Sequence, residues 1–318
     1  MRAIVLKEFG DVENFEMTEM KKPKPNAGEI LVKVKAVAFN PVDYKIRING
    51  TWAGLKPPII IGYDVSGIVE EVGEGVKDFK VGDEVYYTPE IYNNPNGAYA
   101  EYNVVKANIV SKKPKNLSFI EASAVPLAGG TAWEAIVRRL NIRPYETILI
   151  HSGAGGVGSF AVQFAKMISA RVIATSSPRN FDFLKQIGAD YVIDYNDDVN
   201  KIVMEITENK GVDCAFDIQG DNIVSRVLPV IKPFGRVACI LPPKGDLSLL
   251  YRNNITLYGI FLTRESKRLE EMKEVIERGL VKPIISEVLP FSVESVKKAH
   301  KILESGHVRG KIVMEISD

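Results

Sequence analysis

Ile30, Val32, Val34 and Ala36 alternate with Lys33 and Lys35, a period of two that predicts a strand with one buried face. Further strands are predicted over 65–72, 84–87 and 99–104, separated by clusters of glycine, proline and asparagine. Residues 1 to about 120 therefore read as an all-β unit, for which a small β-barrel is the natural closure. Near Leu117 the texture changes, with Ser118 and Glu121 spaced as a capping box before a helix. From there strands and helices alternate. Strands predicted over 147–151, 171–175, 191–193, 214–218, 237–241 and 255–262 make a parallel, doubly wound sheet. Leu269, Met272 and Ile276 then mark one helix ended by Gly279, and residues 291–303 predict another. A last strand over 311–316 is expected to return to the first unit, because a lone strand needs a sheet to join.

The apolar run of the 147–151 strand empties into His151-Ser152-Gly153-Ala154-Gly155-Gly156-Val157-Gly158. Here Gly153 allows a tight turn, Gly155 lets backbone N–H groups approach a pyrophosphate, and Gly158 lets the next helix pack on the strand. Ala161, Phe164, Ala165 and Ile168 follow at the spacing of one buried helical face, and Arg171 to Thr175 completes a βαβ unit. This is a dinucleotide fingerprint in its expected context; a bare glycine loop is the plainer alternative. At the end of the second strand, where an NAD site usually carries an acid for the ribose 2′-hydroxyl, the chain has Ser176, Ser177, Pro178 and Arg179. Hydroxyls and a guanidinium suit a 2′-phosphate, so NADPH is the expected cofactor. Arg179 also fits a solvated position in the first turn of the helix carrying Phe183 and Leu184.

With 318 residues, 46% of them hydrophobic, the chain suits two domains. Forty-one Lys and Arg against 40 Asp and Glu leave a net charge of +1, which does not suggest a nucleic-acid partner. The KKPK tetrads at Lys21 and Lys112 read as solvated loops. No apolar run approaches the roughly 18 residues of a membrane span. The opening Arg2-Ala3-Ile4-Val5-Leu6 lacks the longer apolar core of a signal peptide, so a cytoplasmic enzyme is expected. The two cysteines, Cys214 and Cys239, sit in apolar strand-like runs and read as small buried hydrophobes. Neither they nor His151, His300 and His307 supply the ligands of a cysteine-rich zinc site. His151, at the mouth of the glycine loop, reads as a strand-end histidine satisfied by backbone, with cofactor contact as the alternative.

Five ordered motifs carry a resemblance. They are Asn40-Pro41-Val42-Asp43-Tyr44-Lys45, Gly62-Tyr63-Asp64-Val65-Ser66-Gly67, Val81-Gly82-Asp83-Glu84-Val85-Tyr86, Lys115 to Ala122, and the glycine turn. Together they resemble the zinc-independent quinone oxidoreductase branch of the medium-chain dehydrogenase/reductase superfamily, and within it the plant NADPH-dependent alkenal and enone reductases. The resemblance implies an α/β fold with a GroES-like β-barrel catalytic domain over 1–122 and 264–318, and a Rossmann domain over 123–263. The superfamily's zinc enzymes have a ligand cysteine near Asn40 and Gly-His-Glu where this chain has Gly62-Tyr63-Asp64. Without those ligands no Lewis acid polarises a substrate oxygen, so no zinc is expected.

The resemblance further places Asn40, Asp43 and Lys45 in the cleft beside the nicotinamide ribose. Asn40 and Lys45 are expected to orient the cofactor, with Lys45 or Tyr44 donating to the developing oxyanion; a strand-ending turn and a solvated lysine are the alternative. Trp52 stands where some relatives carry a tyrosine, and is expected to wall the acceptor pocket, with core packing as the alternative. Thr131 matches a contact to the nicotinamide carboxamide, Tyr195 one near the adenosine phosphate, Leu241 and Phe261 the nicotinamide-side wall, and Arg309 and Lys311 a C-terminal base near the cofactor. For Leu241, Phe261, Arg309 and Lys311, structural packing is the other reading. The implied activity is hydride transfer from NADPH to a quinone or an α,β-unsaturated carbonyl. The alternatives are an enoyl-thioester reductase of the same superfamily and a crystallin-like NADPH-binding protein with vestigial activity. A homodimer is expected through the apolar run 255–262, from Ile255 through Leu257 and Ile260 to Leu262, as an exposed sheet edge invites pairing with its twin.

Overall fold

The structure, a computed structural model, describes residues 1–317 apart from the side chains of Ile223 and Val224. The chain divides into two compact units, the first comprising Met1–Ala128, Thr263–Gly279 and Pro283–Asp318, the second Gly129–Leu262 and Leu280–Lys282.

In the first unit the chain forms β1 (Arg2–Leu6), β2 (Phe15–Glu19), β3 (Glu29–Ala38), β4 (Ile59–Ile60), β5 (Val65–Val72), β6 (Glu84–Tyr87), β7 (Tyr102–Lys106) and β8 (Val110–Lys112). β2, β1 and β4 make a small antiparallel sheet. The strand expected over 99–104 begins only at Tyr102. Tyr99 and Ala100 are held instead by β1, through a bond from the Ile4 N–H to the Tyr99 carbonyl (2.8 Å) and a bridge between Ala3 and Ala100.

The second unit holds β9 (Thr147–Ile150), β10 (Arg171–Ser176), β11 (Tyr191–Asp194), β12 (Val212–Asp217), β13 (Ile231–Cys239) and β14 (Thr256–Gly259). All pair in parallel, in the order β11-β10-β9-β12-β13-β14. This is the doubly wound order, with its reversal between β9 and β12. The helix Gly156–Met167 buries its residues from Gly158 to Ala165, with Phe160 and Phe164 stacked at 5.9 Å and Trp133 meeting Phe164 edge-on at 5.1 Å. The strand expected over 255–262 is shorter than its apolar run, since β14 has one neighbour and pairs only from Arg236 to Cys239 of β13.

Returning to the first unit, the chain forms β15 (Ile285–Pro290) and β16 (Lys311–Glu315). Here β3 is the hub. It pairs with β5 along its length, with β7 at Glu29–Lys33 and with β16 at Ala36–Ala38, in a sheet ordered β15-β16-β3-β5-β6-β8. The expected alternation survives only at Lys33 and Lys35; Leu31 and Val37 are buried as well, as strands cover β3 at both ends. The last strand thus joins the N-terminal sheet, as a lone strand must.

Candidate active-site elements

The glycine turn of the second unit lies at the end of β9, beside the point where the strand order reverses. Its glycines answer different demands. A Cβ on Gly158 would lie 2.2 Å from the Ser152 carbonyl oxygen and 2.7 Å from the Gly153 Cα, and one on Gly153 would lie 2.9 Å from the Ala174 Cβ. Protein packing therefore requires both. A Cβ on Gly155 would meet only the Ser152 oxygen, at an ordinary 3.7 Å, and its φ of −73° suits any residue. Nothing in the protein demands glycine there, so the space it leaves is available to a ligand. Gly155 is also the N-cap of the helix Gly156–Met167, which has no side-chain cap, so its first-turn N–H groups, around Gly156 and Val157, face an approaching anion. The residues present fit a dinucleotide pyrophosphate.

Around this turn, Ser176 closes β10 with its hydroxyl donating to the Ser177 carbonyl at 3.0 Å, and Arg179 is exposed in the turn Pro178–Asn180. Tyr195, half exposed, donates its N–H to the Ser176 carbonyl at 3.3 Å. Thr131 is buried in the helix Pro126–Trp133, Leu241 is half-buried against Gly220, and Phe261 is exposed just after β14. The His151 N–H donates to the Phe216 carbonyl at 3.1 Å. Its buried ring stands 3.4 Å from the Thr175 hydroxyl, and burial, reinforced by Arg226, depresses it to about 4. It is neutral near pH 7.

In the first unit the helix Pro41–Asn49 starts at Asn40, with Pro41 in the first position as a capped helix favours. Asn40 and Asp43 form a capping box, the Asn40 N–H donating to Asp43 Oδ2 at 2.9 Å. Tyr44 is half-buried on this helix, and burial and Glu304 raise its pKa, so the phenol keeps its proton. Lys45 next to it is exposed. Trp52, also exposed, meets Tyr92 edge-on at 6.0 Å.

Asn40 itself is almost wholly buried. Its Nδ2 donates to Asp64 Oδ2 at 2.9 Å and to the Ala38 carbonyl at 3.2 Å, while its Oδ1 accepts from Lys311 Nζ. Lys311 Nζ also donates to Asp64 Oδ2 at 3.0 Å. The other oxygen of Asp64 accepts from the Leu127 N–H at 2.7 Å and the Thr88 hydroxyl at 3.3 Å. Lys311 thus lies in the first unit, spent on a carboxylate and an amide, while Arg309 near it is exposed. Burial raises Asp64, opposed by Lys311, Asn40 and Leu127. Sequence reasoning did not pair Asp64 with Lys311. The available signal was a carboxylate set among Ile59, Ile60, Ile61, Tyr63 and Val65, where an ion needs a partner.

Among the described residues no three His, Cys, Asp or Glu side chains form a group able to hold a metal ion, and no helix is long and apolar enough to cross a membrane.

Two family models match the chain. Residues 26–115 match the alcohol dehydrogenase GroES-like domain, and residues 156–278 the zinc-binding dehydrogenase family. An NADPH-dependent alkenal/one oxidoreductase, chloroplastic, from Arabidopsis thaliana is 34% identical over 99% of this chain and 79% of its own. A solved NAD-dependent alcohol dehydrogenase superposes with a TM-score of 0.92 at 31% identity, covering 100% of both chains. The quinone oxidoreductase from Coxiella burnetii does so with a TM-score of 0.89 at 28% identity, over 100% of this chain and 99% of that one.

Proposed function

Because the chain belongs to the quinone and enone reductase branch of the medium-chain dehydrogenase/reductase superfamily, we propose that this oxidoreductase uses NADPH to reduce a quinone or an α,β-unsaturated carbonyl, without zinc. The observation that carries the reading is the donor set around Asp64. At the position of the zinc enzymes' Gly-His-Glu, this chain offers a Tyr63 phenol that burial keeps protonated and a carboxylate already neutralised by the Lys311 ammonium. Those groups suit a fixed internal cation and not a metal. Acceptors that need no Lewis acid are then favoured. In quinones and enones the electrons delocalise onto an oxygen that needs only hydrogen-bond donors.

NADPH over NADH is supported by Ser176, Ser177 and Arg179 at and just after the end of β10, and by the name of the Arabidopsis relative, an NADPH-dependent alkenal/one oxidoreductase. When bound, the reduced nicotinamide supplies the hydride, which goes to the β-carbon of an enone or to the quinone ring. The glycine turn holds the pyrophosphate through backbone N–H groups, with Thr131, Tyr195, Leu241 and Phe261 as further cofactor contacts. Tyr44, protonated, and Lys45 donate to the oxygen on which charge collects, and Trp52 walls the acceptor. A solvent proton completes the saturated carbonyl or hydroquinone.

The protein is further proposed to act in the cytoplasm as a homodimer through the β14 edge, which is paired on one side only.

The test follows NADPH absorbance with methyl vinyl ketone and with phenanthrenequinone, NADH serving as the paired control. Turnover of either acceptor is expected, with a tenfold or greater fall for Lys45→Met. NADPH binding with no turnover of either would leave a binding protein and end this reading.

A further inference from the structure

Asp64 is fully buried and Lys311 is 4% exposed, yet they stand 247 residues apart in sequence and are held as an ion pair at 3.0 Å. An apolar pair of similar volume in such a place is often as stable or more so, so stability alone does not account for the pair. Its connections point to another role.

The pair determines how Asn40 faces. Lys311 donates to Asn40 Oδ1 and Asp64 accepts from Asn40 Nδ2, so the flipped amide would set NH2 against an ammonium and a carbonyl oxygen against a carboxylate. Only one orientation is allowed. Asn40 is in turn the N-cap of the helix Pro41–Asn49, and Tyr44 follows it by four residues, about one helical turn. The same Asp64 carboxylate takes the Leu127 N–H in the first turn of the helix Pro126–Trp133. One buried carboxylate therefore ties the starts of two helices to the first residue of β16.

We propose that Asp64 and Lys311 are a positioning pair, which through Asn40 sets the first turn of the helix Pro41–Asn49 so that Tyr44 and Lys45 face the acceptor's oxygen. This rests on the reading of those two side chains as the donors. The transmission is short, running from the hydrogen-bonded Asn40 amide through the Asn40 backbone into the first helical turn, and a displacement of about 1 Å at a donor is enough to cost roughly a hundredfold in rate.

Each single change, Asp64→Asn or Lys311→Met, leaves a buried group without its partner and is expected to lower the melting temperature. The double variant removes both charges and is expected to recover it. The decisive quantity is kcat with methyl vinyl ketone in the double variant. It is expected to stay at least tenfold below wild type while the NADPH dissociation constant, read by fluorescence, changes less than threefold. A double variant that recovers melting temperature and kcat together would make the pair merely structural and overturn the proposal. Asn40→Ala keeps the ion pair and removes the link, and serves even where the double variant does not fold. It too is expected to lose kcat at least tenfold with the NADPH dissociation constant changed less than threefold; full kcat, or a loss that lies in NADPH binding, would sink the idea. Wild-type protein that turns over neither acceptor would instead be the failure of the function itself, and the positioning role would fall with it.

Discussion

The phenol hydroxyl of Tyr99 lies 2.9 Å from Oδ2 of Asp43, and its other side stands 3.2 Å from Nε2 of His300. All three are sealed from solvent, among Phe15 and Phe39. The hydroxyl has one proton to give. When Asp43 is ionised it takes that proton's hydrogen bond, and His300 must then present Nε2–H to the phenol oxygen. Burial pushes Asp43 up to about 7, although the Asn40 N–H, Tyr99 and Lys311 favour its charged form. Burial and Arg47 push His300 down to about 3.

Asp43 ties the stability of the fold to pH. Its folded pKa lies above the ordinary 3.8, so the native state holds the proton more tightly than the unfolded chain. The stabilisation is complete below about pH 4 and is lost as pH rises through about 7. Asp43→Asn, which cannot ionise, should therefore gain on wild type between pH 5 and 8, by at most about 1.4 kcal/mol per pH unit. Thermal melts of both proteins at four pH values test this. A difference that stays constant with pH would mean that Asp43 is already ionised at pH 5.

His300 acts in the opposite direction. Its depressed pKa means that the unfolded chain takes up a proton near pH 6.5 which the native protein refuses until about 3. Stability is thus lost as pH falls below about 6.5. His300→Phe, which suits the surrounding aromatic rings, should flatten the acid side of the stability curve by about one proton. An unchanged slope in urea melts at pH 4.5 and 6.5 would leave His151, depressed to about 4, as the main histidine term.

Two glycines separate packing from ligand binding. Gly158→Ala drives a methyl into backbone at 2.2 Å, whereas Gly155→Ala meets nothing closer than 3.7 Å. The first should lower both the melting temperature and NADPH affinity. The second should leave the melting temperature within about 1 °C yet weaken NADPH binding tenfold or more, about 1.4 kcal/mol. Calorimetric melting and NADPH titration on both variants are the check, and wild-type affinity in Gly155→Ala would remove the pyrophosphate from that place.

Ser176 and Arg179 test the cofactor. Losing one charge-assisted contact to a phosphate costs about 1.5–3 kcal/mol. Arg179→Ala should therefore lower kcat/KM for NADPH between roughly tenfold and a hundredfold and leave NADH nearly unchanged. Ser176→Asp, which adds a charge opposed to a 2′-phosphate, should lower the ratio further. Equal losses with both cofactors would separate Arg179 from the 2′ position.

The outer edge of β14 tests assembly. The Ile260 N–H points inward to the Cys239 carbonyl at 2.8 Å, so by alternation the Leu257 N–H points away from β13. Proline at 257 leaves the sheet's own ladder intact and blocks a partner strand. Light scattering should give wild type near twice 35.2 kDa and Leu257→Pro near the monomer mass. A wild-type monomer at micromolar concentration would dispose of the dimer.

Much of this molecule was determined by the sequence acting locally. The strands over 65–72 and 84–87, the Ser118–Glu121 capping box and the passage from β9 through the glycines into the next helix all stand where the residue pattern predicts. Each depends on contacts between residues close together in the chain, so periodicity and turn chemistry suffice to specify it. Only the tertiary structure decided the rest. β3 buries Leu31 and Val37 because β7 and β16 arrive from elsewhere in the sequence to cover its ends. Lys311, expected near the cofactor, meets Asp64 across 247 residues, and Asp43, Tyr99 and His300 converge from three distant segments. A buried charge requires a partner, but the sequence does not say which; that follows from which strands and helices the fold brings side by side.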